Sequence, residues 1–327
     1  MKINFVGNFA SGYVGEVADE THITNEIEYL GNQVKRIPRD IWKAHVDSDS
    51  TSGHQWPELT NDLKADINII CKWDAFNKED YIQTLRHRSE APVFYWVWDY
   101  MYYNGMPEWH MRMAKTADLY LSNDIKSPHY KDMLNLYYFP FDVSDNAIDK
   151  IYAQKKYDVT FFGSHLAQGD RIEWLTEINK ATPIKVFSWN FEEWQKLGFD
   201  AEPPVWGQNF AQRVAESKII LGFNVEDHCW GYWSNRVGKV LSTGGFLLQR
   251  YVPGMELFLR NGCEYFSSIE EANKKIKYYL EHNTERERTA QRGYEIGRDK
   301  FTSRARVKEL MILCDRYIKG GFNESPA

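Results

Sequence analysis

Short apolar runs alternate with longer amphipathic segments from one end of the chain to the other. Residues 2–9 (KINFVGNF) predict a buried strand, followed by a loop that contains Gly12 and Gly15. Thr21 is placed to cap a helix with Ile23, Ile27 and Leu30 on one face, closed by Gly31. Strands are then expected over 32–37, Ile67–Cys71, Val93–Val97 and Leu119–Ser122. Residues 142–157 are polar and carry almost no strand character. Beyond them the rhythm restarts, with strands at 158–163, Ile184–Phe187, 219–223 and 245–248. Helices are expected over 171–180, 234–242, 270–283, 285–300 and about 303–319.

Strand-helix alternation of this kind predicts a parallel sheet covered by helices. At about 100–200 residues per domain, a chain of 327 residues predicts two domains. The expected fold is α/β, with two Rossmann-like doubly wound domains facing a central cleft. Residues 1–150 form the first domain and 151–327 the second, with the last helix packing back on the first. In such sheets ligands bind at the carboxyl ends of the strands.

Composition refines this picture. Net charge is −6, but residues 1–150 hold 15 basic and 23 acidic side chains, and residues 151–327 hold 25 and 23. An anionic ligand therefore suits the second half, and the whole-chain charge does not suggest non-specific binding to a nucleic acid backbone. Aromatics reach 15%, with 12 Trp and 20 Tyr, which fill α/β cores and also grip ring-shaped ligands. The opening residues do not read as a secretory leader, and no apolar run approaches the roughly 20 residues needed to span a bilayer. Cys71, Cys229, Cys263 and Cys314 lie far apart in no metal-ligand spacing. A reducing, cytoplasmic setting without membrane insertion is expected.

Two segments carry candidate chemistry. In Asp158-Val-Thr-Phe-Phe-Gly-Ser-His165 a strand ends at Gly163-Ser164, where backbone N–H groups can approach a phosphate, and Arg171 follows. In Trp233-Ser-Asn-Arg-Val-Gly-Lys-Val-Leu-Ser-Thr-Gly-Gly-Phe246 the cations Arg236 and Lys239 share a helix face beside Asn235. That helix closes at Gly244-Gly245. Two cations at a helix start oppose the dipole, a conflict that a diphosphate would relieve. A solvated basic face is the competing reading.

With these blocks, residues 157–317 resemble the C-terminal domain of GT-B glycosyltransferases, of the group 1, spore-maturation-type branch. Further matches follow in order: Pro253-Gly-Met-Glu256, Phe258, Gly262, Ser268-Ile-Glu-Glu-Ala272, Arg286, Gly293 and Phe301-Thr-Ser-Arg304. The first half matches more loosely, through Leu30-Gly-Asn-Gln-Val34, Tyr95-Trp-Val-Trp-Asp99 and Ala117-Asp-Leu-Tyr-Leu-Ser122. The resemblance implies transfer of a hexosyl or pentosyl group from a nucleotide-diphosphate sugar, a UDP-sugar before others, with no metal and no further cofactor. The donor would be held by Gly163, Ser164, Arg171, Asn235, Arg236, Lys239, Gly244 and Gly245, with Asp227 or His228 reading sugar hydroxyls. Many relatives carry a glutamate for the donor ribose where Lys239 stands here, and a lysine cannot accept from those hydroxyls.

An inverting transfer also needs a general base. Asp99 at a strand end is the first candidate; Asp19 and His22, next to Glu20, are the others. Asp227, His228 and Cys229 are consecutive and cannot all turn to one ion from an extended chain, so no metal site is expected. The acceptor is a glycan or small molecule. One alternative is a phage-type enzyme that glycosylates hydroxymethylated bases in DNA, served by a strip of Arg86, Arg88, Arg112 and Lys115. Another is a non-catalytic nucleotide-sugar-binding protein. A nicotinamide enzyme is not indicated, because Gly7, Gly12 and Gly15 lack the G-x-G-x-x-G spacing.

Overall fold

The computed structural model describes residues 1–9, 19–48, 59, 63–98, 105–140, 144–165 and 170–320. The chain divides into two compact units, Met1–Phe141 with Val307–Ala327, and Asp142–Arg306.

The first unit runs β1 (Lys2–Gly7), α1 (Asp19–Tyr29), β2 (Gln33–Pro38), α2 (Arg39–Asp47), β3 (Ile67–Cys71) and α3 (Asp80–Ser89). It continues through β4 (Val93–Val97), α4 (Glu108–Thr116), β5 (Leu119–Ser122) and β6 (Leu136–Tyr138). The strands pair in parallel in the order β2-β1-β3-β4-β5-β6. Every residue of β3 (INIIC) and β4 (VFYWV) is buried. Such runs lack polar alternation because helices cover both faces of a parallel sheet. Helix α1 begins at Asp19, two residues before the expected cap at Thr21. Asp19 and Glu20 then occupy the first turn, where carboxylates favour the helix dipole.

The second unit runs β7 (Tyr157–Phe162), α5 (Arg171–Ala181), β8 (Ile184–Phe187), α6 (Phe191–Lys196), β9 (Asp200–Glu202), α7 (Gly207–Glu216) and β10 (Ser217–Gly222). Then come α8 (Arg236–Ser242), β11 (Leu247–Arg250), α9 (Met255–Leu259), β12 (Glu264–Phe266), α10 (Ile269–Glu281) and α11 (Asn283–Lys300). Its parallel sheet is ordered β12-β11-β10-β7-β8-β9. Helix α8 starts two residues later than expected. Ser234 is held outside it, its N–H donating to Asn224 Oδ1 at 2.8 Å and its hydroxyl accepting from the Arg236 N–H at 3.4 Å.

The last helix, α12 (Ser303–Ile318), passes into the first unit from Val307 on. Val307, Leu310 and Cys314 are fully buried, and Tyr317 meets Phe94 of β4 edge-on at 5.1 Å. No helix among the described residues is long and apolar enough to cross a membrane.

Candidate functional site

Strand order reverses between β1 and β3 in the first sheet and between β7 and β10 in the second. Crevices outside the carboxyl ends at such reversals are where doubly wound folds take ligands. In the second unit Gly163 follows β7 and Phe223 follows β10. Arg236, at the start of α8, lies across both. Its Nη1 donates to the Phe223 carbonyl at 2.9 Å, and its Cζ sits 5.0 Å from the Phe161 ring centroid. A Cβ on residue 163 would lie 2.7 Å from Arg236 Nη2 and 2.7 Å from the Phe161 ring. Glycine is therefore needed here to let a guanidinium lie against the backbone.

Arg171 comes to the same ring from the start of α5, its Cζ 5.7 Å from the centroid and its Nη2 donating to the Ser164 carbonyl at 2.6 Å. Burial, and the Arg171 charge beside it, lower the Arg236 pKa to about 9, which leaves it protonated at neutral pH. Among the described residues no carboxylate pairs with Arg236. Gly163, Ser164, Arg171 and Arg236, spread over more than 70 positions of sequence, thus form one cationic floor. Asn235 occupies the cap position of α8 and its carbonyl accepts from the Lys239 N–H at 3.2 Å. Lys239 is half-buried one turn further on.

The remaining donor-side candidates fall elsewhere. Gly244 (φ +81°) ends α8, where a Cβ would strike the Lys150 side chain, and one on Gly245 would strike Val214, Ile220 and Val240. Packing explains both glycines. Asp227 is ion-paired with Arg250, whose guanidinium also holds Asp170 (2.9 Å) and lies 3.8 Å over the Trp174 ring. A carboxylate so engaged is less available to read sugar hydroxyls. His228 is 88% exposed. The possible ligand atoms that do converge, within 4.8 Å, belong to Glu226, Asp227 and His228, a different set from Asp227, His228 and Cys229. A surface of another kind stands at the ends of β8 and β9, where Trp189, 63% exposed, packs 4.7 Å from Trp206.

In the first unit Asp99 lies outside the described residues. Asp19 and His22 are half-buried in α1, and the carboxyl buried between them is that of Glu20, 5% exposed. Glu20 accepts from the Asn8 N–H at 3.2 Å at the carboxyl end of β1. Burial raises its pKa to about 7 against the opposing pull of backbone N–H groups and Arg39. Sequence reading placed Glu20 with Asp19 and His22 without singling it out, because its burial depends on Gly7, where a Cβ would lie 3.0 Å from Glu20 Cγ. Asn224 was also passed over, although it stands two residues past the end of the strand at the reversal point.

Residues 146–312 match the family model described as glycosyl transferase-like. The chain belongs to this glycosyltransferase family. A search of curated proteins found no match. Among solved structures the chain is similar to sucrose-phosphate synthase from Thermosynechococcus elongatus, with 9% identity, a TM-score of 0.66, and 98% of this chain and 100% of that one covered. It is similar as well to an alpha-glucosyltransferase in complex with UDP-glucose and DNA containing an abasic site (11% identity, TM-score 0.63, coverage 96% and 99%). HepE from Anabaena, solved with UDP and glucose, is comparable (12%, TM-score 0.62, coverage 96% and 99%). At these identities the likeness concerns the fold, which is GT-B with two Rossmann-like domains. The glycosyltransferase family match falls on the unit that holds the paired arginines.

Proposed function

We propose that this glycosyltransferase moves a sugar, hexosyl or pentosyl, from a UDP-sugar to a hydroxyl of a glycan or small molecule. One observation carries the reading: two guanidinium groups share one buried ring at the strand-order reversal of the second unit. Like charges held side by side favour an anion between them. Arg171 and Arg236 present planar donor forks suited to a diphosphate. They would stabilise the charge that builds on the leaving diphosphate, in the role that a metal ion serves in other enzymes. The exposed Trp189–Trp206 surface at neighbouring strand ends offers a face for the base. HepE and the DNA alpha-glucosyltransferase were solved with UDP or UDP-glucose, which agrees with this donor.

On the acceptor side, we assign acid-base chemistry to the first turn of α1, where Glu20 holds a proton near neutral pH beside Asp19 and His22. A DNA acceptor is the weaker alternative. Arg86 is engaged by Asp118, Arg112 by Glu79 and Glu108, and Arg88 by His45 and the Leu59 carbonyl, so these arginines of the strip are committed within the protein. Four free thiols fit a cytoplasmic place of action.

A thermal-shift panel of nucleotides and nucleotide sugars tests the donor. UDP and its sugars should raise the midpoint, by RT ln(1 + [L]/Kd) of stabilisation, and Arg236→Ala should abolish the rise. No shift with any nucleoside diphosphate would reject the assignment. Donor turnover that vanishes in Arg236→Ala separates a transferase from a protein that only binds nucleotide sugars.

A further inference from the structure

Asn224 directly follows the residue whose carbonyl anchors Arg236, at the carboxyl end of β10. It is 6% exposed. Its Oδ1 accepts the Ser234 N–H at 2.8 Å, and this fixes which end of the amide is which, since an N–H requires an oxygen opposite it. The other end is therefore an NH2 group. That Nδ2 is buried and makes no hydrogen bond among the described residues. A buried amide donor left without an acceptor costs stability, and native chains rarely tolerate one without a use for it. Ser234 in turn accepts from the Arg236 backbone N–H at 3.4 Å, so the amide and the Arg236 backbone are joined through a single serine, while the Arg236 guanidinium bonds the carbonyl of the residue before Asn224.

We propose that Asn224 Nδ2 is a donor-site group that gives a hydrogen bond to an oxygen of the nucleotide's diphosphate. The inference rests on the donor reading above and adds a neutral donor to the two cations. The chemistry is selective: an NH2 group can serve only an acceptor, and the group that would join it beside Arg236 is an anionic oxygen. The amide also fixes position in a way that charge alone does not, because it is pinned from its other end.

Asn224→Asp is the decisive substitution. The carboxylate keeps an oxygen for the Ser234 N–H and almost the same volume, while it replaces the free donor by a negative charge. Binding of UDP and of uridine is measured by calorimetry on wild type, Asn224→Asp and Asn224→Ala. We expect Asn224→Asp to weaken UDP at least about a hundredfold and leave uridine within about twofold, because both a hydrogen bond and charge complementarity are lost. Asn224→Ala should weaken UDP by about tenfold. Unchanged UDP binding by a folded Asn224→Asp would overturn the proposal and assign the amide to an internal water. If Asn224→Asp does not fold, UDP binding by Asn224→Ala within about twofold of wild type would overturn it. Failure of the wild type to bind any nucleoside diphosphate would instead overturn the donor reading, and the inference with it.

Discussion

Gly163→Ala puts a single methyl group where the two candidate functions of this position, packing and binding, can be separated. The new Cβ would sit 2.7 Å from Phe161 Cζ, 3.0 Å from Phe161 Cε1 and 2.7 Å from Arg236 Nη2. Ordinary contact begins near 3.4 Å, so something must move by about half an ångström or more. Phe161 is fully buried and packs edge-on against Trp194 and Phe223, so the ring has little room. The guanidinium is the flexible neighbour, and it is expected to yield by giving up its place over the ring. Overpacking of this size costs about 1–3 kcal/mol, or a fall of roughly 2–12 °C in midpoint for a unit of this length. Loss of one well-placed charged hydrogen bond costs a further 1.5–3 kcal/mol or so of binding, about tenfold to a hundredfold in UDP affinity. Calorimetric titration with UDP alongside thermal melts reads both. Gly245→Ala is the control, since the nearest atoms its Cβ would meet belong to Val214, Ile220 and Val240. It should lose stability and keep affinity. Wild-type UDP affinity in Gly163→Ala would refute the placement of Arg236 against the ligand.

Three other outcomes follow from the same geometry. Trp206→Ala should weaken UDP by about 1–3 kcal/mol, the range for stacking of a base on an aromatic ring, and leave inorganic pyrophosphate unaffected in competition assays. Arg250→Ala leaves the Asp170 and Asp227 carboxylates without their shared cation and should destabilise the second unit by about 3 kcal/mol in urea unfolding. Because Arg250 holds the Asp170 carboxyl below its ordinary range, that contribution is present at neutral pH and fades on acidification through the folded value. Glu20 behaves in the opposite sense. Its folded pKa is raised from 4.5 to about 7, so its favourable contribution is full below the unfolded value and is lost as pH rises through 7. Glu20→Gln removes this penalty and should gain about 3 kcal/mol over wild type between pH 5 and pH 9; equal pH dependence in the two proteins would show that the carboxyl is not buried.

Much of the fold was legible because its central strands are uninterrupted apolar runs. INIIC and VFYWV can only be buried on both faces, and the 158–163 run marks the restart in the second unit. Elements held by neighbours were less visible. Strand β9 is Asp-Ala-Glu, with no apolar pattern of its own, and is in place because β8 pairs with it and Lys185 binds both acids. The site was legible in part. Gly163, Arg171 and Arg236, which the structure brings to one ring, could be picked out as candidates by residue type, Gly163 after a strand and each arginine at a helix start. Nothing local foretold that Arg250 would claim Asp227, because that pairing is made between the end of β11 and a residue more than 20 positions earlier in the chain. Nor could spacing separate Glu20 from Asp19, as only the tertiary contact with Gly7 distinguishes them.

The first unit is built from two stretches of sequence, and its closing helix is synthesised after the whole of the second unit. Residues 142–306 must leave the ribosome before Tyr317 can reach Phe94. At translation rates of about 5–20 residues per second that is a wait of roughly 8–33 seconds. Throughout it, the apolar surface that Val307, Leu310 and Cys314 will cover lacks those side chains. A nascent chain of this glycosyltransferase is therefore a natural client for holdase chaperones, and strains short of them should accumulate it in aggregates before it shows any defect as a finished enzyme.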